Sequence, residues 1–206
     1  MKEKDNEINQ MIFPPPIYNF LDYLHQNRGR KTVLDCGAGG RRPALALFFI
    51  HGYKAYGIDI SDSQICRARK FATKHDIKLR ISKADMRRIP FVDEAFGCVF
   101  SWNSSIHLTK EDTKTAICEM LRVLKAGGLL YVNFLWNSGV DMNLGEERGP
   151  GEFWKENNIV HSCFVEDETD RFFENYNVLY RQKRESTRKR KTSTQTVAYL
   201  DYIVKK

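Results

Sequence analysis

The chain is poor in the residues that would staple it or anchor it. Its five cysteines, Cys36, Cys66, Cys98, Cys118 and Cys163, form no CxxC pair and no Cys/His cluster at metal-ligand spacing. A disulfide framework and a zinc site are both excluded, no metal is expected, and each thiol reads as a small core residue rather than a nucleophile. Long apolar runs are missing too. The longest, Ala44 to Ile50, is much too short to span a bilayer. The opening MKEKDNEINQ is charged, with no apolar stretch behind it to serve as a secretory signal, so a cytoplasmic location is expected. No internal repeat is evident.

What is present is ordinary for a soluble fold: 206 residues, 42% hydrophobic and 29% charged, enough for one domain with a substantial core. The net charge of +7 is concentrated. Arg181 to Lys191 (RQKRESTRKRK) holds seven basic residues and one acid, so the remainder of the chain is close to neutral. That segment reads as a solvated hairpin tip or, alternatively, as a phosphate-contacting patch.

Hydrophobic period sorts the chain into alternating elements. Residues 1–10 form a polar tail, and after Pro14-Pro15-Pro16 an amphipathic helix over Ile17, Phe20, Leu21 and Leu24 ends by Gly29. A buried strand, Thr32 to Leu34, runs through Asp35 into Gly37, Gly39 and Gly40. A helical segment follows over Ala44 to Ile50, and a second strand, Lys54 to Ile58, ends on Asp59. Ser61 and Asp62 cap the next helix, and Lys78 to Ser82 is the third strand. Cys98 to Ser101 is the fourth, running into Trp102 and Asn103. Thr109 and Asp112 have capping-box spacing ahead of the stripe Ile117, Met120, Leu121, Leu124. Gly127 and Gly128 stop that helix before a fifth strand, Leu129 to Leu135. Trp136 to Val160 reads as a long excursion with little regular structure, Phe164 to Phe173 as one more helix, and Asn177 to Glu185 with Thr194 to Val204 as an antiparallel hairpin.

The glycine loop after the first strand is shared by dinucleotide and S-adenosylmethionine enzymes. The dinucleotide pattern needs GxGxxG, and its third position here is Arg42, whose side chain would obstruct close helix packing. Taken together and in order, VLDCGAGG, GIDIS, ADMRRIPFVDEAF and LRVLKAGGLLYVNF resemble the successive motifs of class I S-adenosylmethionine-dependent methyltransferases, most closely the small-molecule branch that includes quinone-biosynthesis enzymes. The resemblance covers Thr32 to Leu135. It implies a Rossmann-like doubly wound, mostly parallel seven-stranded sheet with a C-terminal antiparallel hairpin. The whole chain (1–206) is expected to be one methyltransferase domain: tail and lid helix over 1–30, cofactor-binding core over 31–135, substrate-side excursion over 136–163, and helix with hairpin over 164–206.

The resemblance also implies roles. S-adenosylmethionine is the expected cofactor and S-adenosylhomocysteine the product. Gly37, Ala38 and Gly39 would admit the methionyl part, and Asp35 would order the loop. Asp59 would accept both ribose hydroxyls, or else serve only as a turn and cap acid. Ile60 would pack on adenine, Asp85 would accept its amine unless it is merely a loop acid, and the Met86 N–H would reach a ring nitrogen. Ser101 and Trp102 complete the expected cofactor contacts. Two departures stand out: Arg41, Arg42 and Pro43 follow where many relatives carry a third glycine, and the usual KPGG turn is Lys125-Ala126-Gly127-Gly128. Acceptor-side candidates are Trp102, Asn103, Ser104 and His107, with Trp136 and Trp154 as walls and Tyr18 on the lid. His107 is the candidate catalytic residue, against the plainer reading of a half-buried histidine with a backbone partner. The expected partner is a small-molecule methyl acceptor. RNA or protein docked through 181–191, and a non-catalytic S-adenosylmethionine-binding module, are the alternatives; no NPPY-type tetrapeptide follows the fourth strand. The acceptor atom, the pathway and the oligomeric state are left open.

Overall fold

The computed structural model describes residues 11–27, 31–140, 142–155, 158–189 and 194–206. The expected polar tail and the last two basic residues of the 181–191 segment lie outside these. Five parallel strands form the body of the sheet: β1 (Thr32–Cys36), β2 (Lys54–Asp59), β3 (Arg80–Lys83), β4 (Phe96–Ser101) and β5 (Leu124–Trp136), in the order β3-β2-β1-β4-β5. All six residues of β4 are buried, as a strand covered on both faces requires.

One face is covered by α1 (Pro15–Gln26), α2 (Leu45–Ile50) and α3 (Asp62–Lys74), which bury Ile17, Phe20, Phe48, Ile65 and Ala68 against Val33, Phe100 and Tyr131. The other is covered by α4 (Lys110–Val123), which buries Ile117, Met120 and Leu121 against Leu34, Val99 and Leu130. The capping signals act as the sequence suggests: Ser61 Oγ accepts from the Gln64 N–H, and Thr109 Oγ1 from the Asp112 N–H. Two of the five thiols depart from the expected core role, since Cys66 and Cys118 are exposed; neither is disulfide-bonded.

The excursion after β5 is more regular than its Gly, Asn and Glu content suggests. Strands β6 (Glu146–Gly149), β7 (Glu152–Trp154) and β8 (Val160–Phe164) make an antiparallel set. Leu135 pairs with Cys163 of β8 on one edge and with Tyr199 on the other, so β8 takes up the edge of β5 that β4 has left. The short set therefore stands beyond the carboxyl end of β4. The expected helix over 164–173 is shorter than predicted: α5 (Glu166–Asp170) passes into a 3-10 turn, Arg171–Phe173. The chain closes with β9 (Asn177–Lys189) and β10 (Thr194–Lys205), β10 lying antiparallel between β5 and β9. Seven strands thus form the expected sheet, with the hairpin at its edge, and β6, β7 and β8 are additional.

The basic segment on β9 is paired with acids in its first half. Arg181 pairs with Glu166 and Asp170, Lys183 with Glu166, and Arg184 with Asp201, which is 1% exposed. Acids facing β9 from α5 and β10 thus hold these three cations. No helix among the described residues is long and apolar enough to cross a membrane.

Candidate functional site

Strand order reverses between β1 and β4, and a cavity of about 410 Å³ opens there at the carboxyl ends of the strands. Its floor is the glycine loop. The N–H groups of Gly37 and Ala38 both donate to the Ile58 carbonyl (2.8 and 3.0 Å), and that of Gly40 to the Gln64 carbonyl (3.0 Å), so the loop is stitched to β2 and α3. Gly37 sits at φ +108°, and a Cβ there would lie 1.9 Å from Ser104 Oγ. A Cβ on Gly39 would lie 2.4 Å from Asp59 Oδ2. Both glycines are demanded by close approach.

Asp59 is held rigidly. Its Oδ2 accepts from the Gly39 N–H (2.9 Å) and its Oδ1 from the Ser61 N–H (2.8 Å), which leaves each oxygen a further lone pair toward the cavity it lines. The turn-acid geometry thus leaves the same side chain free to accept further hydrogen bonds on its cavity side. Ile60 beside it is 61% exposed and lines the same space. Asp85 also lines the cavity, but Arg87 grips it through Nε (3.0 Å) and Nη2 (2.5 Å), and Arg87 Nη1 reaches Asp112 at the start of α4 (2.9 Å). The hydrogen bonds from Arg87 hold the Asp85 carboxyl below its ordinary pKa, keeping it ionised. Met86 completes this wall.

Asp35 is 2% exposed beneath the loop. Burial, and then the nearby Asp59 charge, push its pKa up to about 8 against a hydrogen bond from the Leu45 backbone. It is a buried acid that holds its proton at neutral pH.

The opposite wall follows β4. Trp102, Asn103, Ser104, His107 and Leu108 line it. Asn103 takes φ +54° because Asn133, fully buried on β5, holds it from both sides: Asn133 Oδ1 accepts from the Asn103 N–H, and Asn133 Nδ2 donates to Asn103 Oδ1, both at 2.7 Å. Ser105 Oγ donates to the Asn133 carbonyl, and Ser162 Oγ of β8 to that of Leu108. The 3-10 turn carrying His107 is thus clamped between β5 and β8. The His107 ring meets His161 edge to face, centroids 4.8 Å apart. Its pKa lies below the ordinary histidine value, chiefly through desolvation. Trp102 Nε1 is buried without a hydrogen-bond partner.

Several expected residues stand elsewhere. Ser101 is fully buried, its hydroxyl donating to the Cys36 carbonyl, and Ala38 packs beneath the loop; neither lines the cavity. Trp136 meets Lys183 and Trp154 meets Arg148, both away from the cavity lining. Tyr18 bonds to the Met11 carbonyl, and α1 is packed on the sheet face rather than poised over the site. Sequence reasoning missed Gln64, Arg87, Asn133 and His161. Asn133 alone left a signal, as the one amide in the apolar run LLYVNFLW. Arg42, noted there only as a departure, lines the cavity.

A reversed-order parallel sheet, a glycine floor tied to an acid at the end of β2, and an antiparallel hairpin closing the edge define the class I, Rossmann-like methyltransferase scaffold. Residues 33–128, just under half of the chain, match the family model for the methyltransferase domain. The chain is similar to a sterol 24-C-methyltransferase of Pneumocystis carinii, 33% identical over 60% of this chain and 32% of that protein. It is also similar to the 2-methyl-6-phytyl-1,4-hydroquinone methyltransferase of Synechocystis, 34% identical over 60% of this chain and 36% of that one. It spans about a third of the length of these relatives. An S-adenosylmethionine-dependent methyltransferase from Methanosarcina mazei shares the fold, with a TM-score of 0.75 at 20% identity over 95% of this chain and 99% of that chain.

Proposed function

We propose that the protein transfers a methyl group from S-adenosylmethionine to a small-molecule acceptor, in a cytoplasmic setting that suits five unbridged thiols. One observation carries this reading: a single cavity joins the Gly37 to Gly39 floor, Asp59, Ile60 and Asp85 to an acceptor-side wall of Trp102, Asn103 and His107.

The residues fit the cofactor. The two glycines keep clear a cradle that any Cβ would fill, Asp59 offers two lone pairs to a diol, Ile60 presents an exposed apolar face, and Asp85 is fixed and ionised for an amine. When bound, S-adenosylmethionine supplies a methyl group already activated on a sulfonium. The chain's remaining task is to orient the acceptor and exclude water, which the clamped 103–108 turn is built to do. His107, set against His161, is the residue we assign to acceptor orientation or deprotonation.

The test is a thermal-shift titration with S-adenosylmethionine, S-adenosylhomocysteine and NAD on wild type and Asp59→Asn. Ligand at about 100 times its Kd adds roughly 2.7 kcal/mol. Stabilisation by both sulfur ligands, reduced in the variant, is expected; a response to NAD alone would overturn the reading. Binding with no product from any acceptor would favour a regulatory module.

A further inference from the structure

A second cavity, of about 340 Å³, shares no lining residue with the first. It opens between one face of α4 and the segment that follows α5, the 3-10 turn Arg171–Phe173 and Tyr176. Its floor is apolar. Ile117 and Leu121 of α4 are nearly fully buried there, and Phe172 and Tyr176 pack half-buried against the same core. Phe172 is fixed from behind by Phe134 and Phe164, ring centroids 5.7 and 6.0 Å away. The volume falls at the small end of the about 300–1,000 Å³ usual for ligand sites, room for one compact molecule.

The charged side chains on this lining, Lys114, Arg122, Arg171 and Lys206, are all cations. Two of them are already answered. Arg122 is bound by Glu119 and Asp93 (2.6 and 2.7 Å). Lys206 Nζ donates to the Leu121 and Leu124 carbonyls (2.9 and 2.8 Å) at the carboxyl end of α4 and stands 3.7 Å from Glu94. The other two are not. Among the described residues the exposed Lys114 and Arg171 side chains make no hydrogen bond or ion pair, and the Tyr176 hydroxyl has no partner either. A cationic ligand would be repelled here, a neutral one would leave both cations unanswered, and a bare inorganic anion would cover none of the apolar floor.

We propose that this cavity is a second ligand site, for a small aromatic carboxylate or a like monoanion. Its rings lie on the Ile117, Leu121 and Phe172 floor, and its charge is turned toward Lys114 and Arg171 with the Tyr176 hydroxyl as a further donor. The site stands apart from the methyl-transfer reading and is open with the first cavity filled.

Cys118, an exposed thiol on the lining, reports occupancy, and Cys66, exposed on α3, is a control in the same molecule. The probe is 2-naphthoate, titrated while both thiols are alkylated by the small neutral reagent iodoacetamide and read by peptide mass spectrometry. Alkylation of Cys118 should slow about fivefold or more at saturation, with half-protection on the order of 0.1–1 mM and Cys66 unaffected. 2-Naphthylmethanol, with rings and no charge, and inorganic phosphate, with charge and no rings, should each require about tenfold more. Lys114→Gln with Arg171→Gln removes two exposed charges and leaves the floor intact. That variant, compared with itself without probe, should need about tenfold more 2-naphthoate and no longer distinguish acid from alcohol. Excess S-adenosylhomocysteine should leave half-protection where it was. Absence of protection, equal protection by acid and alcohol in wild type, matching protection of Cys66, or unchanged half-protection in the variant would overturn the proposal. So would a half-protection that moves with S-adenosylhomocysteine, which would put the probe in the first cavity.

Discussion

Asp35→Asn should make the ligand-free protein more stable at neutral pH and flatten its pH dependence. The Asp35 carboxyl is 2% exposed, and burial with the neighbouring Asp59 raises its pKa from 3.8 to about 8. The folded state therefore holds this proton more tightly than the unfolded chain does. The corresponding stability is complete below the unfolded value of 3.8 and is lost as pH rises toward about 8. Each pH unit in that window costs about 1.4 kcal/mol, which sets an upper bound of about 4 kcal/mol at pH 7. Relaxation and water entry around the buried charge reduce this, and about 2–4 kcal/mol is expected. Asparagine keeps an oxygen for the Leu45 N–H and has no proton to lose. The assay is urea unfolding of both proteins from pH 5 to pH 8. With a urea dependence of about 2–3 kcal/mol per molar, the variant's midpoint should exceed wild type by about 1 M at the upper end. The gap should narrow to roughly a third by pH 5 and close only toward the unfolded value of 3.8. Parallel profiles would show that Asp35 ionises freely in the fold, and the description of a proton held beneath the loop would fail.

Gly37→Ala imposes a side chain on φ +108° and drives its Cβ to 1.9 Å from Ser104 Oγ, so we expect a loss of several degrees in Tm, of order 2 kcal/mol or more, and at least tenfold weaker S-adenosylhomocysteine binding by calorimetry. Unchanged binding would mean that the loop does not floor the cofactor site. Arg184→Ala leaves the buried Asp201 carboxylate with only the Tyr131 hydroxyl, and urea unfolding should register a loss of about 3–5 kcal/mol. Adding Asp201→Asn should recover much of it; a single variant as stable as wild type would show that the pair is not what pins β9 to β10.

The parts of this molecule that could be read from the sequence are those in which one residue's reason is local. Thr109 and Ser61 announce helix starts because a cap needs only the next three residues, and Gly37 is legible because a strand that turns within two residues needs a left-handed position. The candidate site was legible to the same extent: Asp59 ends β2 and Asp85 follows β3, and the register of β2 and β3 brings them to one cavity. What was hidden depends on partners far along the chain. Asn103 is shaped by Asn133, and His107 stands against His161, across separations that no period encodes. The excursion after β5 was misread for the same reason, since β6, β7 and β8 have weak alternation and are strands because their edges find one another and the free edge of β5. The basic segment misleads in the opposite direction. Its charge is local and loud, but the acids that answer three of its cations, Glu166, Asp170 and Asp201, sit on α5 and β10 and become visible only when the hairpin folds back. On this scaffold the cofactor half is written locally and the acceptor half by tertiary contacts, so the identity of the acceptor rests on the wall that sequence patterns describe least.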